Sequence, residues 1–124
     1  MIERIGVDPA SPLPLAPAVR AGDFIFLSGQ AAIGPNGTII CADIVDQTEL
    51  TIQRIIDVLK QCDCTLADVV KATVWLDDAR DFGGFNKVYS KYFSEHPPSR
   101  STVVSPLVVD GKIEIEVVVY KPQS

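Results

Sequence analysis

Apolar residues recur at helical spacing in two segments of the chain. In residues 44–62 they are three or four positions apart, which predicts an amphipathic helix with Asp43 as its N-cap. A second helix is predicted over residues 81–95, where aromatic side chains share one side and the prolines at 97–98 end it. After the first helix, Asp63 is expected to adopt the left-handed conformation that often follows a helix end.

Other segments are rich in β-branched and aromatic residues and are predicted as strands. Turn signals occur between them at Gly22-Asp23, Asn36-Gly37 and Asp110-Gly111, the last of which predicts a hairpin of the two final strands. Prolines between positions 9 and 17 predict an extended segment before the first strand. In the third strand, Val70 is expected on the same face as Ala72, Val74 and Leu76. The predicted strands cover residues 19–22, 23–27, 69–77, 101–107 and 112–120.

The order of predicted elements is strand, strand, helix, strand, helix, strand, strand, which indicates an α+β fold. Two helices can cover only one face of its sheet. In the last strand, odd positions from 113 to 119 carry isoleucine and valine, whereas Glu114 and Glu116 lie on the other face. Residues 24–27 and 103–109 are apolar on both faces, which is typical of a sheet buried on both sides. We therefore expect a homo-oligomer in which another copy covers the second face; a surface with some exposed valines is the alternative.

The composition narrows the class of protein. The chain has 124 residues, the usual size of one domain, and residues 1–124 are predicted to fold as a single unit. The net charge of −5 argues against nucleic-acid binding, because such proteins neutralise phosphates with basic side chains. No apolar run approaches the length of a membrane span and no secretory signal is readable. We expect a cytoplasmic protein without a nucleic-acid or membrane partner.

Several common kinds of catalytic site find no support in the sequence. The three cysteines, Cys41, Cys62 and Cys64, lack the spacing of a zinc or redox motif and are interpreted as thiols in a reducing compartment. The single histidine, His96, provides no basis for a nucleophilic triad or a multi-histidine metal site. Glycine patterns for phosphate or dinucleotide binding are also absent. The sequence therefore predicts neither a metal site nor a cofactor.

Two charged residues lie where apolar neighbours favour burial. Arg100 is at the start of a strand, and Glu114 is on the strand face assigned to subunit packing. Each has a simpler interpretation, Arg100 as a surface arginine with a buried stem and Glu114 as an edge charge that prevents aggregation. Together they suggest a site in which the guanidinium orients a carboxylate and a glutamate of raised pKa transfers protons. Such a pair is sufficient to hydrolyse a reactive imine.

Four stretches of the sequence occur in the same order as in a known family. They are residues 18–30, Asp81-Phe82 with Asn86, residues 98–101 and residues 112–116. In these stretches, which extend over nearly the whole chain, it resembles the RidA/YjgF family of reactive intermediate deaminases, also labelled endoribonuclease L-PSP. The resemblance implies a chorismate-mutase-like α+β fold, with two helices on one face of a mixed sheet. It also implies a homotrimer with active sites between neighbouring subunits.

The resemblance further implies an activity and a set of site residues. The activity is hydrolysis of 2-aminoacrylate and related enamine or imine acids to 2-keto acids and ammonia, without a cofactor. Arg100 matches the family arginine that holds the substrate carboxylate, and Glu114 matches the glutamate that handles the attacking water. The other matching pocket positions are Asn86, Ser28, Gly29 and Thr102, the last of which replaces a cysteine whose backbone lines the site.

One departure from the family concerns the substrate. Leu15 stands where archetypal members have a tyrosine, so a hydroxyl is missing and the pocket is more apolar. We expect weak turnover of small aminoacrylates or a larger substrate. One alternative function is a non-catalytic binder or sensor of small carboxylates. The other is a ribonuclease or translation inhibitor, a label that many relatives carry, against which the acidic charge and single histidine argue.

Overall fold

The computed structural model describes residues 1–123, which form two α-helices, two short 3₁₀ helices and one seven-stranded sheet. The helices are α1 (Ile44–Gln61) and α2 (Phe82–Phe93), and the 3₁₀ helices are Leu66–Asp68 and Ala79–Asp81. The strands are β1 (Ile2–Ile5), β2 (Ala18–Ala21), β3 (Phe24–Leu27), β4 (Gln30–Ala31), β5 (Val69–Leu76), β6 (Ser99–Val104) and β7 (Ile113–Tyr120). The predicted α+β class, with the helices on one face of a mixed sheet, is confirmed.

The strand order in the sheet is β1-β2-β3-β7-β5-β6, and the short β4 also pairs with β7. β6 runs parallel to β5, whereas the other pairs are antiparallel. The hairpin predicted for the last two strands is wrong, because β5 lies between β6 and β7. Their connection passes the end of β5, where Ser105 N–H donates to Leu76 O and Asp77 N–H donates to Lys112 O. β1 and β4 are additional to the predicted strands.

Both helices form where the apolar spacing predicts them. Asp43 caps α1, and its Oδ1 accepts a hydrogen bond of 3.0 Å from Asp46 N–H. Asp63 follows this helix with a φ of 57°, the left-handed conformation expected there. α2 is one residue shorter than predicted at its start and two residues shorter at its end. No helix in the described part of the chain is both long and apolar enough to cross a membrane.

The core lies between the helices and one face of the sheet. In β7, the isoleucines and valines at odd positions from 113 to 119 are at most 1% exposed, which confirms the predicted alternation. Val70 is 43% exposed, whereas Ala72, Val74 and Leu76 are at most 1% exposed, so its predicted place on their face is wrong. A bulge between Val69 and Lys71 shifts the register of β5 there and places Val69 in the core instead.

The other face of the sheet carries no helix, and we call it the open face. Several of its apolar side chains are between 43% and 48% exposed: Phe24, Phe26, Val103 and Tyr120. Phe24 and Tyr120 contact each other edge to face, with ring centroids 5.2 Å apart. The prediction that this chain leaves one sheet face without a cover is therefore confirmed. That a second copy provides the cover stays a prediction.

Candidate active site

Arg100 is the second residue of β6, and its side chain faces the helices. It lies opposite Ala72 in the parallel pair of β5 and β6, and paired residues on adjacent strands point to the same side. Because Ala72 is fully buried beneath the helices, the Arg100 side chain extends into the helix layer, where it meets α2. The connection from α2 to β6 is short and contains the prolines at 97–98, which cannot continue the helix. Arg100 is therefore close to α2 in sequence as well as in space.

Three aromatic rings and an amide hold the Arg100 guanidinium against α2. Its Cζ lies 4.6 Å from the ring centroid of Tyr89, 5.2 Å from that of Phe85 and 5.8 Å from that of Phe82. Nη1 donates a hydrogen bond of 2.9 Å to Oδ1 of Asn86. Phe85 and Asn86 are three and four positions after Phe82, and Tyr89 is four and three positions after them. This spacing places all four residues on one side of α2. We call the three rings the aromatic cradle.

Arg100 has no acidic partner among residues 1–123. The ion pairs in that range are Arg80–Asp78, Lys91–Glu49, His96–Glu95 and Lys121–Asp68. The guanidinium is half-buried, and its hydrogen-bond partner Asn86 is neutral. A half-buried positive charge without a counter-ion is suited to bind an anion, and a planar guanidinium can bind a carboxylate through two parallel hydrogen bonds.

Glu114 is the second residue of β7 and lies on the open face. It is opposite Trp75 of β5 on one side and Ala31 of β4 on the other. Among the described residues, no group donates a hydrogen bond to its carboxylate or forms an ion pair with it. Burial raises the pKa of Glu114 above its usual value, and the negative charge of Glu116 raises it further. Such a carboxyl group exchanges protons closer to neutral pH than an exposed one.

Gly29 packs directly against the Glu114 carboxylate. A Cβ atom at position 29 would lie 3.1 Å from Glu114 Cδ and nearer still to a carboxylate oxygen, so a larger residue would displace the acid. The preceding residue, Ser28, donates from Oγ to Ala16 O at 2.6 Å and from N–H to Pro17 O at 2.9 Å. These bonds hold the segment that contains Leu15 beside the end of β3. Leu15 itself is 55% exposed.

A pocket of about 220 Å³ opens beside Glu114 on the open face. Trp75 forms one wall, and residues 105–108 form the rest of the lining together with Glu114. Proline, leucine, valine and tryptophan make most of this lining apolar. The pocket therefore has room for a non-polar substituent of a small molecule whose reacting atoms meet the carboxylate.

Arg100 and Glu114 lie on opposite faces of the sheet within one chain. On β5, Ala72 is opposite Arg100 and Trp75 is opposite Glu114. Because successive side chains of a strand alternate between faces, positions 72 and 75 point to opposite sides. The two charged residues are also two strands apart. A single chain therefore does not bring them together.

The candidate residues form two groups, each with its own surroundings. The arginine half-site consists of Arg100, Asn86 and the aromatic cradle, and half-buried Thr102 lies on the same face, opposite Val74. The glutamate half-site consists of Glu114, Gly29, Ser28 and Trp75. Asn86 thus contacts Arg100 directly, and Gly29 contacts Glu114. Leu15 is predicted to make the pocket more apolar. Among the contacts described for Arg100 and Glu114, none involves Leu15, so that role stays a prediction.

Sequence analysis does not identify the aromatic cradle or Trp75 as parts of a site. The spacing of Phe82, Phe85 and Tyr89 predicts only that they share one side of a helix, and the last two are buried. One sequence signal could have identified the cradle. A helix with aromatic residues on one face is followed by a short connection that contains two prolines, and then by an arginine. For Trp75 no local signal exists, because its position beside Glu114 depends on strand pairing.

Comparisons with known proteins concern the chain as a whole. The sequence model of the family described as Endoribonuclease L-PSP matches residues 6–121. A RutC family protein of Pyrococcus abyssi is 44% identical over 116 residues, which cover 90% of this chain and 91% of that protein. The chloroplastic Reactive Intermediate Deaminase A of Arabidopsis thaliana is 37% identical over 87% of this chain and 59% of its own length.

Solved structures give the same result for the fold. The crystal structure of Escherichia coli TdcF with bound serine has a TM-score of 0.85 and 32% sequence identity. The match covers 96% of this chain and 98% of that one. The resemblance predicted from four stretches of sequence is thereby confirmed. The chain belongs to the endoribonuclease L-PSP family, in which the RidA/YjgF proteins are found.

Proposed function

We propose that the protein hydrolyses reactive enamine and imine acids of the 2-aminoacrylate type to 2-keto acids and ammonia. The observation that carries this proposal is the half-buried Arg100 guanidinium, which is held by an amide and three rings without an acidic partner among residues 1–123. An arginine that is held in place and has no counter-ion can bind a small carboxylate through its remaining N–H groups. The name of the A. thaliana relative, a reactive intermediate deaminase, supports the same chemistry. The reaction as proposed needs no cofactor.

Each half-site has a defined task in this reaction. Arg100 binds the substrate carboxylate with the N–H groups that Asn86 does not use, and so fixes the orientation of the adjacent C=N carbon. Glu114 accepts a proton from water as the water oxygen bonds to that carbon. That proton passes to the imine nitrogen to give a carbinolamine, and the proton of the new hydroxyl group then reaches the same nitrogen by way of Glu114. The carbon–nitrogen bond breaks, and ammonia leaves as the keto group forms. An enamine substrate enters this sequence after a proton moves from its nitrogen to its terminal carbon to give the imine. Because the imine is already electrophilic, no covalent nucleophile is required.

We infer that a complete site combines Arg100 of one protomer with Glu114 of the partner subunit. The two residues face opposite sides of their own sheet, so the carboxylate of the same chain cannot reach a substrate held by Arg100. Exposed aromatic and valine side chains on the open face favour contact with another copy. A contact between two different surfaces closes into a ring when the rotation allows it, and we propose a homotrimer. Light scattering after size exclusion tests this, and a monomer at micromolar concentration would contradict it.

A non-catalytic binder or sensor of small carboxylates is the second candidate. Leu15 supports it, because the family tyrosine and its hydroxyl are absent from a segment that Ser28 holds beside the glutamate half-site. The apolar lining of the pocket next to Glu114 also favours a substituent larger than that of aminoacrylate. In this case titration calorimetry would show binding of 2-keto acids that depends on Arg100, without turnover of any imine.

The proposed partners are limited to small carboxylates and other copies of this chain. The net charge of −5 does not favour RNA, and the single histidine is an exposed residue next to Glu95. We therefore give the ribonuclease function little weight despite the family label. A reducing, cytoplasmic compartment is proposed on the three free thiols, two of which are buried in the core.

Release of keto acid from enzymatically generated 2-aminoacrylate and 2-aminocrotonate tests the enzyme directly. Arg100→Ala is expected to lower kcat/KM at least tenfold, because a charge-assisted bidentate contact contributes about 1.5 to 3 kcal/mol. Arg80→Ala is the matched control, since that arginine is exposed and pairs only with neighbouring Asp78. No acceleration by the wild type, or equal rates for the wild type and Arg100→Ala, would contradict the proposal.

A further inference from the structure

Tyr89 has a polar group that the fold leaves without a partner. The side chain is only 6% exposed, and its hydroxyl makes no hydrogen bond. Among the buried side-chain nitrogen and oxygen atoms of residues 1–123, this hydroxyl alone lacks a partner. A phenylalanine would fill the same space without the desolvation cost of an unpaired hydroxyl. Core packing therefore explains the ring of Tyr89 but not its oxygen.

The ring of Tyr89 is also the one closest to the Arg100 guanidinium, at 4.6 Å from Cζ to the ring centroid. It stacks on Phe93 at a centroid distance of 4.3 Å and contacts Phe85 at 5.3 Å, so neighbouring rings fix its orientation. The guanidinium thus rests on a rigid surface. Burial raises the pKa of Tyr89, and Arg100 opposes that rise through its positive charge and through its hydrogen-bond donors.

An aromatic face and a carboxylate would stabilise Arg100 in different ways. A carboxylate would neutralise the guanidinium and occupy the N–H groups that a substrate needs. A ring face attracts the cation through its quadrupole and leaves both the charge and the in-plane N–H groups available. Because burial raises the pKa of Tyr89, its hydroxyl stays protonated and neutral and adds no competing negative charge.

We propose that Tyr89 is a positioning residue for Arg100: its ring holds the guanidinium flat and without a counter-ion, and its hydroxyl accepts an Arg100 N–H when the guanidinium turns to meet a carboxylate. The inference rests on the proposed function in that Arg100 is taken as the group that binds the substrate carboxylate. It adds a residue that does not touch the substrate itself. The role of Tyr89 is to fix which N–H groups of Arg100 point outward.

Two conservative variants on the same helix separate this role from a structural one. Tyr89→Phe removes the unpaired hydroxyl and keeps the ring, whereas Tyr92→Phe removes a hydroxyl that donates to Glu49 and does not contact Arg100. We expect Tyr89→Phe to raise KM, and the Kd for a 2-keto acid product, about 3- to 10-fold, with kcat within about twofold of the wild type. Tyr92→Phe should leave both constants unchanged.

Thermal stability should respond in the opposite order. Tyr92→Phe loses a hydrogen bond and is expected to lower Tm, while Tyr89→Phe removes an unsatisfied buried group and should leave Tm unchanged or raise it. Side-chain NMR of the Arg100 Nε–H group provides a readout that does not depend on any ligand. We expect this group to be ordered in the wild type, in Tyr92→Phe and in Tyr89→Phe, which keeps the ring, and more mobile in Tyr89→Leu, which removes the ring.

The outcomes distinguish this inference from the proposed function. A rise in KM confined to Tyr89→Phe, with a loss of Arg100 order confined to Tyr89→Leu, would support it. Unchanged constants in Tyr89→Phe, equal changes of KM in Tyr89→Phe and Tyr92→Phe, or unchanged Arg100 order in Tyr89→Leu would overturn it. If the wild type neither turns over imines nor binds 2-keto acids, the proposed function fails by itself. The NMR comparison then still decides whether Tyr89 positions Arg100.

Discussion

The two half-sites differ in how completely their own chain builds them. Arg100 lies opposite Ala72 in the sheet, Asn86 accepts a hydrogen bond from its guanidinium, and the aromatic cradle lies beside that group. Glu114 has Gly29 against its carboxylate and Trp75 across the strand pair, and in residues 1–123 no donor satisfies it. The cation is preorganised within one chain, whereas the acid is left for a neighbour to complete.

This difference indicates that binding and turnover are separable properties of the protein. An isolated chain carries everything that we propose for holding a carboxylate, since the arginine half-site consists of β6 and α2 residues. In the mechanism that we propose, proton transfer requires the glutamate half-site of another copy. Covering the open face in an oligomer would bury Glu114 further, and burial raises the pKa of a carboxyl group. Assembly would then tune the acid as well as position it.

The largest expected effect comes from removing the acid alone. Glu114→Gln should lower kcat by about 10²- to 10⁴-fold, the usual contribution of general acid–base catalysis, with the Kd for a 2-keto acid nearly unchanged. Steady-state kinetics and titration calorimetry on the same preparation measure both. A loss of binding as large as the loss of kcat would show that Glu114 belongs to the binding half-site, which contradicts the separation made above.

Mixed oligomers test whether the half-sites come from different chains. Arg100→Ala and Glu114→Gln are each expected to be nearly inactive. If each site takes one residue from each of two neighbours, random mixing in equal amounts after reversible dissociation restores about a quarter of the sites. The fraction of restored sites is obtained from the rate of the mixture, with each variant incubated alone as the reference. Recovery that stays at the level of the separate variants would mean that one chain supplies both residues.

A smaller effect is expected from filling the space beside the carboxylate. Gly29→Ala places a Cβ against Glu114 and should lower kcat about tenfold by displacing the acid, with little change in Tm because the carboxylate end can move. Gly83→Ala on α2 is the matched control, as nothing lies within 4 Å of a Cβ there. Equal kcat values for the two variants would show that a Cβ atom at position 29 does not displace the Glu114 carboxylate enough to affect catalysis.

The smallest expected effect concerns stability and its dependence on pH. The folded protein raises the pKa of Glu114, so it binds the proton more tightly than the unfolded chain does. The contribution of Glu114 to the free energy of unfolding is therefore most favourable at low pH and falls as pH rises from the usual carboxyl pKa of about 4.3 through the raised value. Glu114→Gln cannot ionise and should have the higher Tm at pH 7. The difference should vanish below pH 4.3, about the usual pKa; a lower Tm for the variant at pH 7 would reverse the sign assigned here.

The sequence alone determined the elements whose signals are local. The spacing of apolar residues placed α1 within one residue at its C-terminal end, Asp43 and Asp63 marked its two ends, and the alternation in β7 identified the covered face. These succeed because capping, helical periodicity and strand alternation each depend on neighbours within a few positions. The apolar neighbours of Arg100 and Glu114 indicated these two residues as candidates, and the four matching stretches identified the family.

Only the tertiary structure decided how those elements meet. β6 and β7 looked like a hairpin in sequence, yet β5 separates them, because the partner of a strand depends on long-range pairing. The bulge that exposes Val70 likewise follows from register with β7. The same pairings place Arg100 and Glu114 on opposite faces and bring the aromatic cradle beneath the guanidinium. The sequence identifies which residues carry charged and aromatic groups. Which of these groups lie on the same face depends on how segments distant in sequence pack together.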